Sequence, residues 1–232
     1  MINKCFEVRV LTLFPEMFPG PLSYSLAGKA SEKNIWSLKT VNIRDYATDK
    51  HKTVDDEPYG GGPGMVMRPD ILGKAFDKNN PNSKWKKIIL TPRGKPLTQK
   101  MVKDISSKPG VVIVCGRYEG IDERFISSRS LEEVSIGDYV LSGGEPAALI
   151  LIDSIVRLLS GTMGSSDSLI EESFENNLLE HPHYTRPYEW EGMKPPSVLL
   201  SGNHREIEKW RKNIALEDTK KRRPELLISE KK

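Results

Sequence analysis

The chain has 232 residues, of which 37% are hydrophobic and 29% charged, with a formal net charge of +3. That length and balance suit a globular protein with a sizeable core and exclude overall disorder. No apolar run is long enough to span a bilayer. The N-terminus moves straight into a strand-like stretch without the apolar core of a signal peptide. Cys5 and Cys115 provide neither a disulfide framework nor metal spacing, so a reduced, cytoplasmic setting is expected. The net charge is too small to diagnose a polyanionic partner, but its distribution is uneven. From Arg205 to Lys232 there are ten Lys/Arg against six Asp/Glu, and from Asp167 to Glu191 seven acids against one base, Arg186. A basic end beside an acidic stretch permits phosphate contact, although charge alone favours a solvated helix face.

In chain order, Phe6–Leu13, Trp36–Ile43, Lys87–Thr91 and Val111–Cys115 are short, bounded and rich in β-branched residues, and they predict strands. Leu131–Ile136 is a weaker fifth. Leu97, Met101 and Ile105 recur at i, i+4, i+8 and predict a helix with Pro96 in its first turn. Ser142-Gly143-Gly144-Glu145 reads as a capping box opening a helix to about Ser160, apolar nearly all round at its start and therefore buried. Strands separated by helices imply crossovers and a mainly parallel α/β sheet. Gly161–Ser168 then reads as a flexible linker. Beyond a proline-bearing segment, Asn203 with Glu206 caps a final helix whose apolar stripe is Ile207, Trp210 and Ile214.

Ligands of parallel α/β sheets bind beyond the carboxyl ends of the strands. Three glycine-bearing segments follow predicted strands: Pro92–Lys95, Gly116–Gly120 and Gly137–Pro146. None carries a phosphate-binding fingerprint, so composition leaves the ligand unnamed. Another glycine cluster, Pro58–Gly64, has no strand clearly leading into it. Arg117 and Glu119 fit a structural ion pair. Asp153 and Arg157, four apart on so apolar a helix, need a polar cavity or a partner as much as each other. His181-x-His183 lacks the companions of a metal site and reads as loop histidines.

Tyr59–Met65 (YGGGPGM), Cys115–Arg124 (CGRYEGIDER), Ser135–Glu145 (SIGDYVLSGGE) and His181–Pro187 (HPHYTRP) resemble the bacterial tRNA (guanine-N1)-methyltransferases of the trefoil-knotted SPOUT superfamily. Phe14–Phe18, Ser201–His204 and Arg223–Leu227 fit the same pattern, and the resemblance runs in order from about Val8 to Leu227. It implies an α/β fold with a mainly parallel sheet, a C-terminal trefoil knot and a small C-terminal helical domain. The implied division is a knotted methyltransferase domain over 1–160, a linker over 161–175 and a helical tRNA-binding domain over 176–232. A homodimer is implied, using S-adenosylmethionine to methylate the guanosine immediately 3′ of the anticodon, position 37. Magnesium is expected from the family, although no cluster here identifies its ligands.

Carried over position by position, the donor site comprises Leu90, Thr91 and Pro92, then Gly116, Tyr118, Glu119 and Gly120. Ile136, Gly137, Asp138, Tyr139, Val140, Leu141, Gly143, Gly144 and Pro146 complete it. Arg157 falls on the family's catalytic arginine. Guanine N1 carries a proton and is a poor nucleophile at neutral pH, so a carboxylate must accept that proton and a cation should stabilise charge on O6. The family places its aspartate just before a Ser-Phe pair; here Glu172 precedes Ser173-Phe174, with Glu171 and Asp167 as competitors. The resemblance thus makes Glu172 the general base, ordered when tRNA and donor are bound. Lys209, Arg211, Lys212 and Lys220–Arg223 would contact tRNA phosphates. The alternatives are another knotted RNA methyltransferase, acting on a ribose 2′-hydroxyl or a different base, and a non-catalytic RNA-binding protein of the same fold.

Overall fold

The structure is a computed structural model that describes residues 5–80, 84–163 and 172–228. All five apolar runs become strands of one parallel sheet: β1 (Phe6–Thr12), β2 (Trp36–Asn42), β5 (Lys86–Pro96), β6 (Gly110–Cys115) and β8 (Glu132–Ser135). Their spatial order is β2-β1-β6-β5-β8. A second sheet joins three two-residue strands in the order β3 (Asp55–Asp56), β4 (Val66–Met67) and β7 (Gly120–Ile121). The glycine cluster Pro58–Gly64 therefore links β3 to β4, and a strand does lead into it, one too short to show in an apolar pattern.

Period-two alternation sorts the apolar residues onto two faces. Phe6, Val8 and Val10 of β1, with Val111, Ile113 and Cys115 of β6, pack under α1 (Ser25–Glu32), α3 (Gln99–Ser106) and α5 (Glu145–Leu158). Leu11, with Val112 and Val114, packs under α2 (Pro69–Asn79) and α4 (Glu123–Arg129). β6 is central and covered on both sides, so all six of its residues are buried and its sequence reads as an unbroken apolar run. Each such side chain contributes about 1.5–3 kcal/mol on burial.

Three helix expectations change. Pro96 ends β5, and Thr98 caps α3 by accepting from the Met101 amide; an X-Pro step favours extended backbone over a first helical turn there. The Ser142–Glu145 capping box does not form: Gly144 is the N-cap without a side-chain bond, and Glu145 turns inward. α5 is not buried all round, since Ile150 is 47% exposed and Asp153 lies on that open side, where a carboxylate needs no buried partner.

Pro92–Lys95 is not a loop after a strand. Leu90 pairs with Val134, the chain bulges out, and Lys95 pairs with Val134 again before Pro96 meets Ser135. Gly94 is required there, because backbone of Glu133 and Val134 fills the place of its Cβ.

The chain divides into two compact units, Met1–Gly164 and Ser165–Lys232. Gly164–Ser168 of the expected linker lies outside the described residues, as do Asp167 and Glu171. In the second unit, α6 (His204–Arg222) begins as expected, with Asn203 accepting from the Glu206 amide. Its stripe Ile207, Trp210 and Ile214 is half-buried, while Ala215 and Thr219 are fully buried. Thr219 Oγ1 donates to the Ala215 carbonyl at 2.6 Å and accepts from the Leu179 amide at 2.9 Å, fastening the segment before His181 to the helix. No described helix is long and apolar enough to cross a membrane.

Candidate active site

The bulge of β5 and the carboxyl ends of β6 and β8 border a cleft of about 330 Å³ in the first unit. Fourteen of the sixteen positions expected to hold a donor line it: Leu90, Thr91, Pro92, Gly116, Tyr118, Glu119, Gly120, Ile136, Gly137, Tyr139, Val140, Leu141, Gly143 and Gly144. Asp138 and Pro146 do not; Pro146 instead occupies the first turn of α5, where its missing N–H costs nothing. Arg93, Arg117 and Ser142 of the three glycine-bearing segments also line the cleft, as does Ser135, which lies outside those segments.

Local chemistry shapes each wall. Ser135 Oγ donates to the Gly137 carbonyl and accepts from the Gly137 amide, forming a tight turn at the end of β8. Gly137 has φ +151°, and a Cβ there would overlap the Tyr139 ring. Tyr139 lies back over this turn and donates its hydroxyl to the Ile136 carbonyl at 3.2 Å. On the opposite wall, Tyr118 adopts φ +61° and its hydroxyl accepts from Arg44 at 3.4 Å. The Glu119 amide donates to the Met65 carbonyl, and the Glu119 side chain fills the space a Cβ on Gly64 would need. This contact brings YGGGPGM beside the cleft.

Arg117 does not pair with Glu119. Its Nε lies 2.9 Å from Oε2 of Glu145, which is wholly buried at the start of α5. The contact is an ion pair by distance, although the N–H is not aligned for a hydrogen bond. Glu145 Oε1 accepts from Thr12 Oγ1 at 2.6 Å, and Thr12 Oγ1 accepts from the Phe14 amide at 2.9 Å. A pair this buried gives little net stability, but removing one partner costs about 3–5 kcal/mol because the other charge is stranded. Beneath it, burial pushes the Cys115 thiol well above its usual range; the Glu145 charge adds to this and Arg117 opposes it.

Arg157 sits half-buried in the last turn of α5, in the first unit, and Glu172 is half-buried at the start of the described part of the second. Around the Ser-Phe pair, Ser173 Oγ accepts from the Glu180 amide and the Phe174 amide donates to Leu178. Arg223 of the basic run stands 5.8 Å from the Phe174 ring. His181 and His183 pack edge to face 4.8 Å apart, with His181 beside Trp210, so these histidines belong to an aromatic cluster on α6. Among the described residues no group of three His, Cys, Asp or Glu could hold a metal ion. Of the basic residues on α6, Lys212 pairs with Glu208 at 2.6 Å and Arg222 with Asp218 at 3.7 Å.

A family model described as tRNA (Guanine-1)-methyltransferase matches residues 6–229, nearly the whole chain. The chain belongs to this family. Among curated relatives, the tRNA (guanine-N(1)-)-methyltransferase of Rhizobium etli is 60% identical over 221 residues, 95% of either chain. Those of Agrobacterium fabrum and Zymomonas mobilis are each 57% identical, covering 96% and 97% of this chain and 96% and 91% of their own.

Proposed function

We propose that this protein transfers the methyl group of S-adenosylmethionine to N1 of guanosine 37 in tRNA, immediately 3′ of the anticodon. The observation that carries the reading is the gathering of fourteen separated family positions onto one cleft. Backbone carbonyls and amides of the Ile136–Leu141 segment offer the polar edge that an adenine needs, between apolar walls from Leu90, Val140 and Leu141. The donor, when bound, supplies an electrophilic methyl on a sulfonium.

Glu172 accepts the N1 proton as the base attacks, and Arg157 stabilises the charge that develops on O6. Glutamate can perform the proton transfer expected of the family's aspartate, with a side chain one methylene longer. The target base leaves its stack to reach the cleft. The cations of the second unit, Lys209, Arg211, Lys212 and Lys220–Arg223, hold the tRNA backbone.

The division into a knotted domain over 1–160, a linker over 161–175 and a tRNA-binding domain over 176–232 belongs to the same reading. So does the trefoil knot. Homodimer formation is supported by the exposure of Tyr24, Leu26 and Ile150 on the first unit. A cytoplasmic location follows from a tRNA substrate. The test is methylation of a tRNA transcript with guanosine at position 37 against an adenosine 37 control, with nucleoside mass spectrometry locating the methyl. Methylation of both, or a methyl on ribose, would overturn the assignment in favour of another RNA methyltransferase.

A further inference from the structure

Resting on the reading of the cleft as the donor site, we propose that Arg117 is a positioning residue for the donor. Held from behind by Glu145 and Thr12, it fixes the Ser142–Gly144 wall of the cleft against the segment that follows β1.

One guanidinium touches every part that must stay in register. Nη1 donates to the Ser142 carbonyl at 3.0 Å, and Nη2 reaches Met17 Sδ at 3.6 Å. The guanidinium carbon lies 4.3 Å from the centre of the Phe14 ring. Nε faces Glu145. The arginine backbone is pinned as well: its amide donates to Met67 Sδ at 3.3 Å, and the carbonyl of the preceding Gly116 accepts from Gly144 at 2.9 Å.

The Ser-Gly-Gly-Glu string then has a reason at each position. Ser142 contributes its carbonyl to Arg117. Gly143 has no room for a Cβ because the Arg117 side chain passes there, and Gly144 has none because the Cys115 backbone does. Glu145 supplies the countercharge. An apolar pair of the same volume would fill this space at no cost in stability, so the gain from a buried ion pair lies in placement. The planar fork addresses a carboxylate, a carbonyl and an aromatic face at once, which a lysine ammonium cannot do. Gly143 and Gly144 line the cleft themselves, so a shift of Arg117 moves the wall that meets the donor.

The experiment compares the full-length protein with Arg117→Lys, Glu145→Gln, the double variant and Thr12→Val. Calorimetry with S-adenosylmethionine, steady-state tRNA methylation and thermal melting are measured on each. Expected is a rise of about tenfold in Kd and KM for the donor in either charged variant, a factor worth about 1.4 kcal/mol. kcat at saturating donor should fall far less. The double variant should be no worse than the more affected single, because both act through one contact. Thr12→Val, which keeps the volume but removes the hydrogen bond to Glu145 and the one from the Phe14 amide, gives the same direction with a smaller shift and covers the case in which a charged variant does not fold. Donor affinity within twofold of the unaltered protein in all folded variants, whatever their melting temperatures, would overturn the positioning role while leaving the cleft as the donor site. Failure of the unaltered protein to bind S-adenosylmethionine would remove both.

Discussion

The cleft proposed for the donor and the basic helical unit proposed for tRNA would meet their ligands by opposite means. The cleft is made by backbone: glycines at Gly137, Gly143 and Gly144 exist because a neighbour occupies the place of their Cβ, and a buried ion pair locks the wall. The second unit works with side chains on a solvated helix, several already paired with local acids, such as Lys212 with Glu208. The first region should be intolerant of single added atoms and the second tolerant of losing any one charge. The two proposed reacting groups, Arg157 and Glu172, belong one to each unit.

The largest effect tests that division. Glu172→Ala should lower turnover by about 10²–10⁴-fold, the usual contribution of a general base, with donor affinity unchanged. Near-normal turnover would take the role from Glu172 and pass it to Asp167 or Glu171. Arg157→Ala should cost about 10²–10³-fold in kcat by removing charge stabilisation, read by single-turnover kinetics. Gly144→Ala should destabilise the first unit by about 1–3 kcal/mol, as overpacking against the Cys115 backbone does, and weaken donor binding in calorimetry. A comparable destabilisation from replacing one cation of α6 would erase the contrast between the regions.

Smaller effects belong to the second unit. Replacing Lys220–Arg223 with alanine should flatten the slope of log affinity against log salt by about 0.7–0.9 for each phosphate that is no longer neutralised, measured by tRNA binding at several salt concentrations. An unchanged slope would make the run a solvated face. Smallest is the response of Cys115. Burial raises its pKa, so the thiol stays protonated through neutral pH, and alkylation should be negligible until denaturant opens the first unit.

Five strands are legible in the sequence because β-branched residues packed on two covered faces leave short apolar runs. The helix α2 carries an equally clear stripe, Ile71, Leu72, Ala75 and Phe76 behind Pro69, and is within reach of the same reasoning. The two-residue strands β3, β4 and β7 are not, since two residues display no period. At the site, family resemblance supplies fourteen lining residues that spacing alone leaves as generic turns. Glu145 reads as a cap in the sequence because its partners, Thr12 and Arg117, lie far away along the chain, and no local pattern reports a contact across 133 positions.

The bulge in β5 has an evolutionary consequence. Because the strand leaves Val134 after Leu90 and returns to the same residue at Lys95, the excursion between them begins and ends at one point of the ladder. Inserting or deleting a residue elsewhere in a strand flips every following side chain to the wrong face. Within residues 91–94 it changes only the size of the excursion, leaving both cores untouched. A change of length there would spare both cores but alter the rim of the cleft, where Thr91 and Pro92 line it and Gly94 packs on the Glu133–Val134 backbone.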